Sequence, residues 1–409
     1  MDTRISCVDS SLFKTIMPQR DHCSDIYWPN YHGNSLLNLM STLSRELAGP
    51  TLGHAVLTHP LLDGVGRHRH VVMILVDGLG LAQLDRLGAG GWLHAAPRTV
   101  IDSVFPPTTA AAVTTILTGR SPAEHGLIGW HQLHGDEIIA PLPLYVRHPA
   151  ASPSTPDALA ASLYVTPPLF DRLDRPATLL IPDFICDTPC SRHHAGQAGR
   201  LPYRDFDDAF AQLAARLAQP EPAFHYLYLP QLDTLMHERG PESSDAAALL
   251  AKLEVHLARL ADHASRHDTA IVITADHGFV SAPAAQWVDV DDIAPLAALL
   301  ARPLSGETRL AYCHVLPGCI TLFIALAQTH LGHACWPLES RQLREAGVFG
   351  PGIPHPELAR RCGDVILIAK PGWNPRDTLP GERQLQLAGV HAGVTAEEMQ
   401  IPLIVLRPH

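Results

Sequence analysis

Three short runs of uninterrupted apolar residues, each closing on an aspartate, limit what this chain can fold into. They are VVMILVDG at residues 71–78, FHYLYLPQLD at 224–233 and AIVITADHG at 270–278. Apolarity that is continuous rather than alternating marks strands covered on both faces, which predicts a parallel or mixed sheet sandwiched between helices. Between the runs the spacing turns helical. Phe206, Phe210, Leu213 and Leu217 recur every three or four residues, as do Leu249, Leu250, Leu253, Leu257 and Leu260, so both segments read as amphipathic helices packed on that sheet. Two further runs, DVILIAK at 364–370 and IPLIVLRP at 401–408, read as additional strands. No repeat of 20 to 50 residues is visible, which removes solenoids and propellers.

In an open α/β sheet, ligands bind beyond the carboxyl ends of the strands, and here the polar residues gather at those ends. Asp77 closes the first run, Asp233 the second, and Asp276 with His277 the third. A lone aspartate after a strand is also a good turn former; three together carry more weight. Asp233 is followed four residues later by His237, a spacing that sets both on one face of a helical turn, where they can share a metal ion. Near the carboxyl end, His391 sits in a glycine-flanked loop just before an apolar strand. The segment SVFPPTTAAAVTTILTG, 103–119, reads as an extended stretch ended by Pro106 and Pro107, then a helix capped by Thr108 or Thr109 and stopped at Gly119. A hydroxyl at a helix amino terminus lies beside free N–H groups and the positive end of the dipole, a ready phosphate site.

The ordered set VDG, FPPTTAAAVTTILTG, DxxxH, ADHG and GVHAG resembles the alkaline phosphatase superfamily, and within it the bacterial branch of the type I phosphodiesterase/nucleotide pyrophosphatase family. The resemblance runs from about residue 68 to the end. It implies an alkaline-phosphatase-like α/β/α sandwich with a mostly parallel central sheet and inserted cap segments. The whole chain is expected to be one catalytic domain, with a core at about 68–282 and 362–409 and cap-like insertions at about 131–200 and 283–361. It also implies two Zn2+ ions, one held by Asp233, His237 and His391 and the other by Asp77, Asp276, His277 and the nucleophile. The family nucleophile aligns to Thr109, and Thr108 falls where lysine is common. A threonine hydroxyl is a poor nucleophile until a cation lowers its pKa. The implied reaction is hydrolysis of a phosphodiester or pyrophosphate bond through a phosphothreonine intermediate, with a small-molecule, nucleotide-type phosphoester as substrate.

One departure is that Ala112 replaces an asparagine that contacts a phosphoryl oxygen in eukaryotic members. Sulfatase chemistry is disfavoured, because CDTPCSR at 186–192 has the wrong spacing for a modifiable CxPxR sequence. A phosphomonoesterase or phosphonate hydrolase on the same core is an alternative, with Arg120 or Arg192 as the added cation, and a zinc-binding protein without catalysis is another. Trp130, Tyr145, His193, His194 and Trp287 are candidates for contact with a leaving group, and His125 in SPAEHG reads as a structural turn residue.

Composition narrows the partners. Among 409 residues, 41 acidic against 30 basic side chains leave a net charge of −11, which argues against nucleic acid as a stable partner. No apolar run reaches 18 residues, and the amino terminus lacks a basic segment followed by an apolar one, so no membrane span, no secretory signal and a cytoplasmic location are expected. The eight scattered cysteines predict buried thiols rather than disulfides or a structural zinc site. Nothing in the sequence bears on oligomeric state.

Overall fold

The first apolar run forms His70–Val76 (β1), buried at all seven positions. It lies between Ala223–Leu229 (β8) and Thr269–Thr274 (β9), and both run parallel to it. These strands come from a computed structural model that describes residues 26–149, 154–384 and 386–408; strands and helices are numbered along the chain. Arg98–Asp102 (β2), Ala177–Pro182 (β6), Gly199–Tyr203 (β7) and Gln400–Leu406 (β18) complete a seven-stranded sheet in the order β2-β18-β9-β1-β8-β6-β7. β18 runs against both of its neighbours and the other pairings are parallel, so the sheet is mostly parallel, as expected.

The helices form where the apolar spacing places them. Phe206–Leu217 (α3) buries Phe206, Phe210, Leu213 and Leu217, and its amino end is capped by the Asp205 carboxylate. Ser244–Ser265 (α5) buries Leu250, Leu253, Leu257 and Leu260 and is capped by Ser243. Each cap satisfies an N–H that the helix cannot pair internally, worth about 1 kcal/mol. Leu36–Glu46 (α1) packs against Thr109–Thr118 (α2), which ends at Gly119 in the left-handed conformation, φ 66°. Gln231–Arg239 (α4) starts directly after β8.

A second, antiparallel sheet has the order β12-β13-β15-β14, from Ser305–Glu307 (β12), Leu310–Cys313 (β13), Cys335–Glu339 (β14) and Val365–Ala369 (β15). Ile320–Leu331 (α6) packs on β14. Gln132–His134 (β3), Glu137–Ala140 (β4) and Tyr145–His148 (β5) make a three-stranded meander. Its leading edge meets the second sheet where His131 bridges Gly306. Two small pairs join Val280–Ser281 (β10) to Gly389–Val390 (β17), and Trp287–Asp289 (β11) to Asn374–Arg376 (β16).

The structure differs from the expected boundaries in three places. The core begins before residue 68, since α1 shares the main apolar cluster with β1, β8 and β9, and Ser35 pairs with Asp102 at the end of β2. Within the expected insertion at 131–200, β6 and β7 instead extend the central sheet from β8; the meander and the Pro156–Leu163 helix that packs with it leave the sheet. DVILIAK, assigned to the core, lies as β15 between β13 and β14 of the second sheet. Its five buried residues need a partner on each edge, and two antiparallel neighbours supply them. Cys186, Cys190, Cys313, Cys319, Cys335 and Cys362 are free thiols; Cys7, Cys23 and the amino-terminal segment expected to lack a leader lie outside the described residues. Among the described residues, no helix is long and apolar enough to cross a membrane.

Candidate active site

Parallel register brings the three aspartates together. Val76 lies opposite Leu229, and Leu75 opposite Thr274, so β1, β8 and β9 end almost level. Asp77 follows β1 immediately, Asp276 and His277 follow β9 by two and three residues, and Asp233 sits in the first turn of α4. His277 Nε2 is 3.4 Å from Asp77 Oδ1 and 3.3 Å from Asp276 Oδ2. On α4, His237 Nε2 is 3.5 Å from Asp233 Oδ1, and His391 Nε2 approaches the same oxygen at 3.9 Å. Thr109, the first residue of α2, places its hydroxyl oxygen 3.2 Å from His277 Nε2. All seven residues singled out in the sequence therefore meet at one end of the central sheet.

The charges in this cluster are not balanced by protein groups. Asp77 Oδ1, Asp233 Oδ1 and Asp276 Oδ2 are buried without a hydrogen-bond partner, and an orphaned buried carboxylate oxygen costs more than the ~1–3 kcal/mol of a neutral group. Burial, then Asp276 and Asp233, push the Asp77 carboxyl well above the usual range. Burial, then Asp276 and Glu307, do the same to Asp233. The three imidazoles are held for the opposite purpose. His237 Nδ1 meets Gly389 O at 2.9 Å, His277 Nδ1 meets Gly278 O at 3.2 Å, and His391 Nδ1 meets Pro107 O at 3.3 Å. A carbonyl accepts only from N–H, so each ring carries its proton on Nδ1 and turns a bare Nε2 to the carboxylates. Burial lowers the pKa of all three, that of His237 to about 4, which keeps them neutral. Neutral imidazoles fixed through their far nitrogen, beside carboxylates lacking partners, are a donor set suited to divalent cations. Two groupings have ligand atoms within 4.8 Å of one another: Asp233, His237 and His391, and Asp77, Asp233 and His277.

The profile of the type I phosphodiesterase/nucleotide pyrophosphatase family matches residues 71–393. The chain belongs to this family. Members of the type I phosphodiesterase family are hydrolases of phosphoester bonds built on the alkaline phosphatase fold, and solved structures agree on that fold. Murine ectonucleotide pyrophosphatase/phosphodiesterase 5, as an inactive threonine-to-alanine variant in complex with AMP, superposes with a TM-score of 0.60 at 16% identity, over 81% of this chain and 87% of its own. Phosphonoacetate hydrolase from Sinorhizobium meliloti, in complex with phosphonoformate, superposes with a TM-score of 0.59 at 16% identity, over 84% of this chain and 91% of its own. No curated protein matches the sequence.

Around this cluster the structure adds residues that carry no local signal in the sequence. Tyr228 on β8 donates its hydroxyl to Asp77 Oδ2, fixing the carboxylate that ends β1. Glu307, at the end of β12, takes a hydrogen bond from the Thr108 hydroxyl and another, at 2.7 Å, from Trp130 N–H; burial pushes its carboxyl up to about 7. Glu307, Thr109, Asp233, His237 and His391 line one cavity of about 610 Å3 together with Trp130 and Tyr145. Trp287 lies instead on a neighbouring cavity, under the Arg376 guanidinium. His193 and His194 pack on Tyr164 and bond backbone carbonyls, outside the lining of the site cavity. Arg120 bonds Leu52 O and Glu124, and Arg192 bonds Asp187 O; neither lines the cavity. Ala112 is fully buried within α2. His125, read as a turn residue, accepts at Nδ1 from Leu127 N–H and bonds the Thr115 hydroxyl through Nε2, bracing α2 from below.

Proposed function

We propose that the protein is a metal-dependent phosphodiesterase or nucleotide pyrophosphatase that works through a phosphothreonine intermediate on Thr109. The observation that carries this reading is the placement of the Thr109 hydroxyl, at a helix amino terminus, against a cluster of partnerless carboxylate oxygens and bare imidazole nitrogens. Asp233, His237 and His391 would hold one Zn2+, and Asp77, Asp276, His277 and Thr109 the other; imidazole with carboxylate is a ligand set zinc favours. Bound there, the ions would supply Lewis-acid charge that lowers the pKa of a hydroxyl and offsets charge on the attacking and leaving oxygens.

The protein's own residues do the rest. Thr109 attacks phosphorus in line as its hydroxyl loses a proton, the P–O bond to the leaving group breaks and the leaving oxygen takes up a proton, and water then cleaves the phosphothreonine, releasing the phosphorylated product and restoring the hydroxyl. The N–H groups of Thr109 and Ala110 at the start of α2, ahead of those of Ala111 and Ala112 that bond Thr108 O, would face the phosphoryl oxygens and supply part of what an asparagine side chain at position 112 would contribute. Tyr228 keeps Asp77 oriented, and the carbonyls of Gly389, Gly278 and Pro107 hold the three imidazoles in one tautomer.

The murine relative bound AMP as an inactive threonine-to-alanine variant, which supports a nucleotide-type substrate and a threonine nucleophile. Phosphonate hydrolysis on the same core is the second reading, favoured by a comparable likeness to a phosphonoacetate hydrolase with bound phosphonoformate. The test is a panel of zinc-loaded assays on a bis-aryl phosphodiester, the matching monoester, a dinucleotide and a phosphonate. Fastest turnover of the diester or dinucleotide is expected. Turnover of the phosphonate alone would replace this reading with the second. Two bound zinc ions with no turnover of any would point to a binding protein.

A further inference from the structure

Thr108 occupies the N-cap position of α2, where a threonine hydroxyl ordinarily accepts an N–H from the helix's first turn. Here it makes no such bond and donates to Glu307 Oε1, 199 positions away in sequence. The same oxygen accepts from Trp130 N–H at 2.7 Å, and Oε2 has no hydrogen bond among those of the described residues. Glu307 is held there by close backbone approach. Gly306 exchanges hydrogen bonds with His131 (2.6 and 3.1 Å) at φ +96°. A Cβ on Gly306 would come within 2.3 Å of Leu310 O, and one on Gly129 within 2.9 Å of the Gly306 Cα. The second sheet thus delivers one carboxylate to the cavity beside the reacting hydroxyl.

The arginines of that cavity are placed elsewhere. Arg147 is engaged by Asp377 and Glu382, each at 2.9 Å, and by Leu304 O. Arg376 pairs with Asp289 at 2.7 Å, and Arg383 stands exposed at the rim, where solvent screens it. A phosphodiester brings one negative charge to Thr109, and a phosphomonoester near neutral pH brings close to two. Glu307 shares that cavity with Thr109 and bonds the neighbouring Thr108, so the extra charge meets its carboxylate there.

We infer that Glu307 is a specificity-determining residue that selects monoanionic phosphoryl groups, diesters above all, by repelling the second charge of a monoester. This deepens the proposed function and rests on Thr109 being the site of attack. The discrimination expected from one added contact between like charges within a cavity is roughly tenfold, after screening.

The test compares the full-length, zinc-loaded protein with E307Q, which keeps the shape and the acceptor oxygen while removing the charge, and with T108V, which removes the hydrogen bond and keeps the charge. At pH 8.5, where the Glu307 carboxyl is ionised, E307Q should raise the ratio of kcat/KM for p-nitrophenyl phosphate over bis(p-nitrophenyl) phosphate about tenfold, and T108V should leave the ratio within about twofold. A ratio unchanged in E307Q, or shifted equally in T108V, overturns the inference and leaves the proposed function standing. Calorimetric titration with inorganic phosphate gives a readout that needs no turnover: E307Q should bind this largely dianionic ligand about tenfold tighter at pH 8, and equal affinity overturns the inference. Wild-type protein inactive on every ester would instead reject the proposed function, and the phosphate titration would still decide the role of Glu307.

Discussion

Replacing Arg309 with methionine should unfold the protein more readily than any exposed substitution, and should do so through the loop that carries His391. Arg309, in the turn between β12 and β13, and Glu398, between the His391 loop and β18, are both completely buried. Two parallel bonds join them, Nε to Oε1 at 2.9 Å and Nη2 to Oε2 at 3.0 Å. Nη1 donates further to Lys370 O at 2.8 Å and Trp373 O at 2.7 Å. The Glu398 carboxylate also takes Gly393 N–H at 2.8 Å and the Thr395 hydroxyl at 2.7 Å, closing the turn that follows His391.

Removing one partner of a buried pair costs about 3–5 kcal/mol, because the other charge is left behind. Each stranded carbonyl adds up to ~1–3 kcal/mol. The terms overlap, so about 4–6 kcal/mol is expected for Arg309→Met, a large share of the ~5–15 kcal/mol that holds a typical protein folded. Urea unfolding followed by fluorescence measures it. Glu398→Gln in the same background should recover part of the loss, since it removes the stranded charge.

The pH dependence has a definite sign. Burial pushes the Glu398 carboxyl up, but Arg309, Thr395 and Gly393 outweigh it and hold the group below the usual glutamate range. A depressed carboxylate stabilises the fold above its unfolded pKa of ~4.3 and loses that contribution as pH falls through the folded value. In the Arg309→Met protein Thr395 and Gly393 still lower the carboxyl, but without the guanidinium burial outweighs more of that effect, so Glu398 takes up a proton at higher pH than in the parent. The gap between the two proteins should be widest near pH 7–8 and narrow towards pH 5. A loss below about 1.5 kcal/mol, or a gap that widens in acid, would refute the reasoning.

Three further outcomes are expected. Thr109→Ala should cut turnover by at least ~1,000-fold with metal content by elemental analysis unchanged; retained activity would move the nucleophile elsewhere. Chelation at pH 7.5 should lower the thermal midpoint, and zinc should restore it, since ligand at about 1,000 times its Kd contributes ~4 kcal/mol; a midpoint indifferent to chelator would argue against a cation in the cluster. His225 stacks on His70 within the sheet, with neither ring nitrogen bonded, and burial, then His70, push its pKa down to about 3. The native state refuses a proton that the unfolded chain accepts below ~6.5, so stability should fall with pH from about 6.5 to 3, by ~1.4 kcal/mol per pH unit from this group. His225→Phe should flatten the slope by that amount between pH 6 and 4; equal slopes in urea titrations would reject the assignment.

Most residues of the candidate site were legible because they follow from a local rule. A both-faces-buried strand needs an uninterrupted apolar run, and its end in a parallel sheet is where ligands collect, so Asp77, Asp233, Asp276 and His277 announce themselves. His237 follows from the four-residue spacing on a helix; the proline-terminated stretch before a run of small residues narrowed the hydroxyl to Thr108 or Thr109, and the resemblance to the family chose Thr109 and brought in His391. The boundaries were less legible. β6 and β7 are short, Pro182 ends the one and Pro202 falls within the other, so nothing in their composition tied them to the edge beyond β8. β15 is as apolar as a central strand, and only its antiparallel neighbours reveal that it belongs to the other sheet.

The sequence by itself determined the central strands, the two amphipathic helices and the aspartates at the strand ends, because burial periodicity and capping act over a few positions; Thr109 and His391 were singled out by the resemblance to a family. Only the tertiary structure decided what surrounds them. Glu307 sits in a three-residue strand, SGE, whose composition carries no sign of a site, and it reaches Thr108 across 199 positions. Arg120 looked like a cation near the nucleophile helix, yet the fold turns it to Glu124 and Leu52 O at the helix's far end. Contacts of that kind depend on which backbones approach one another, and in this chain that approach is set by Gly129 and Gly306, where there is no room for a side chain.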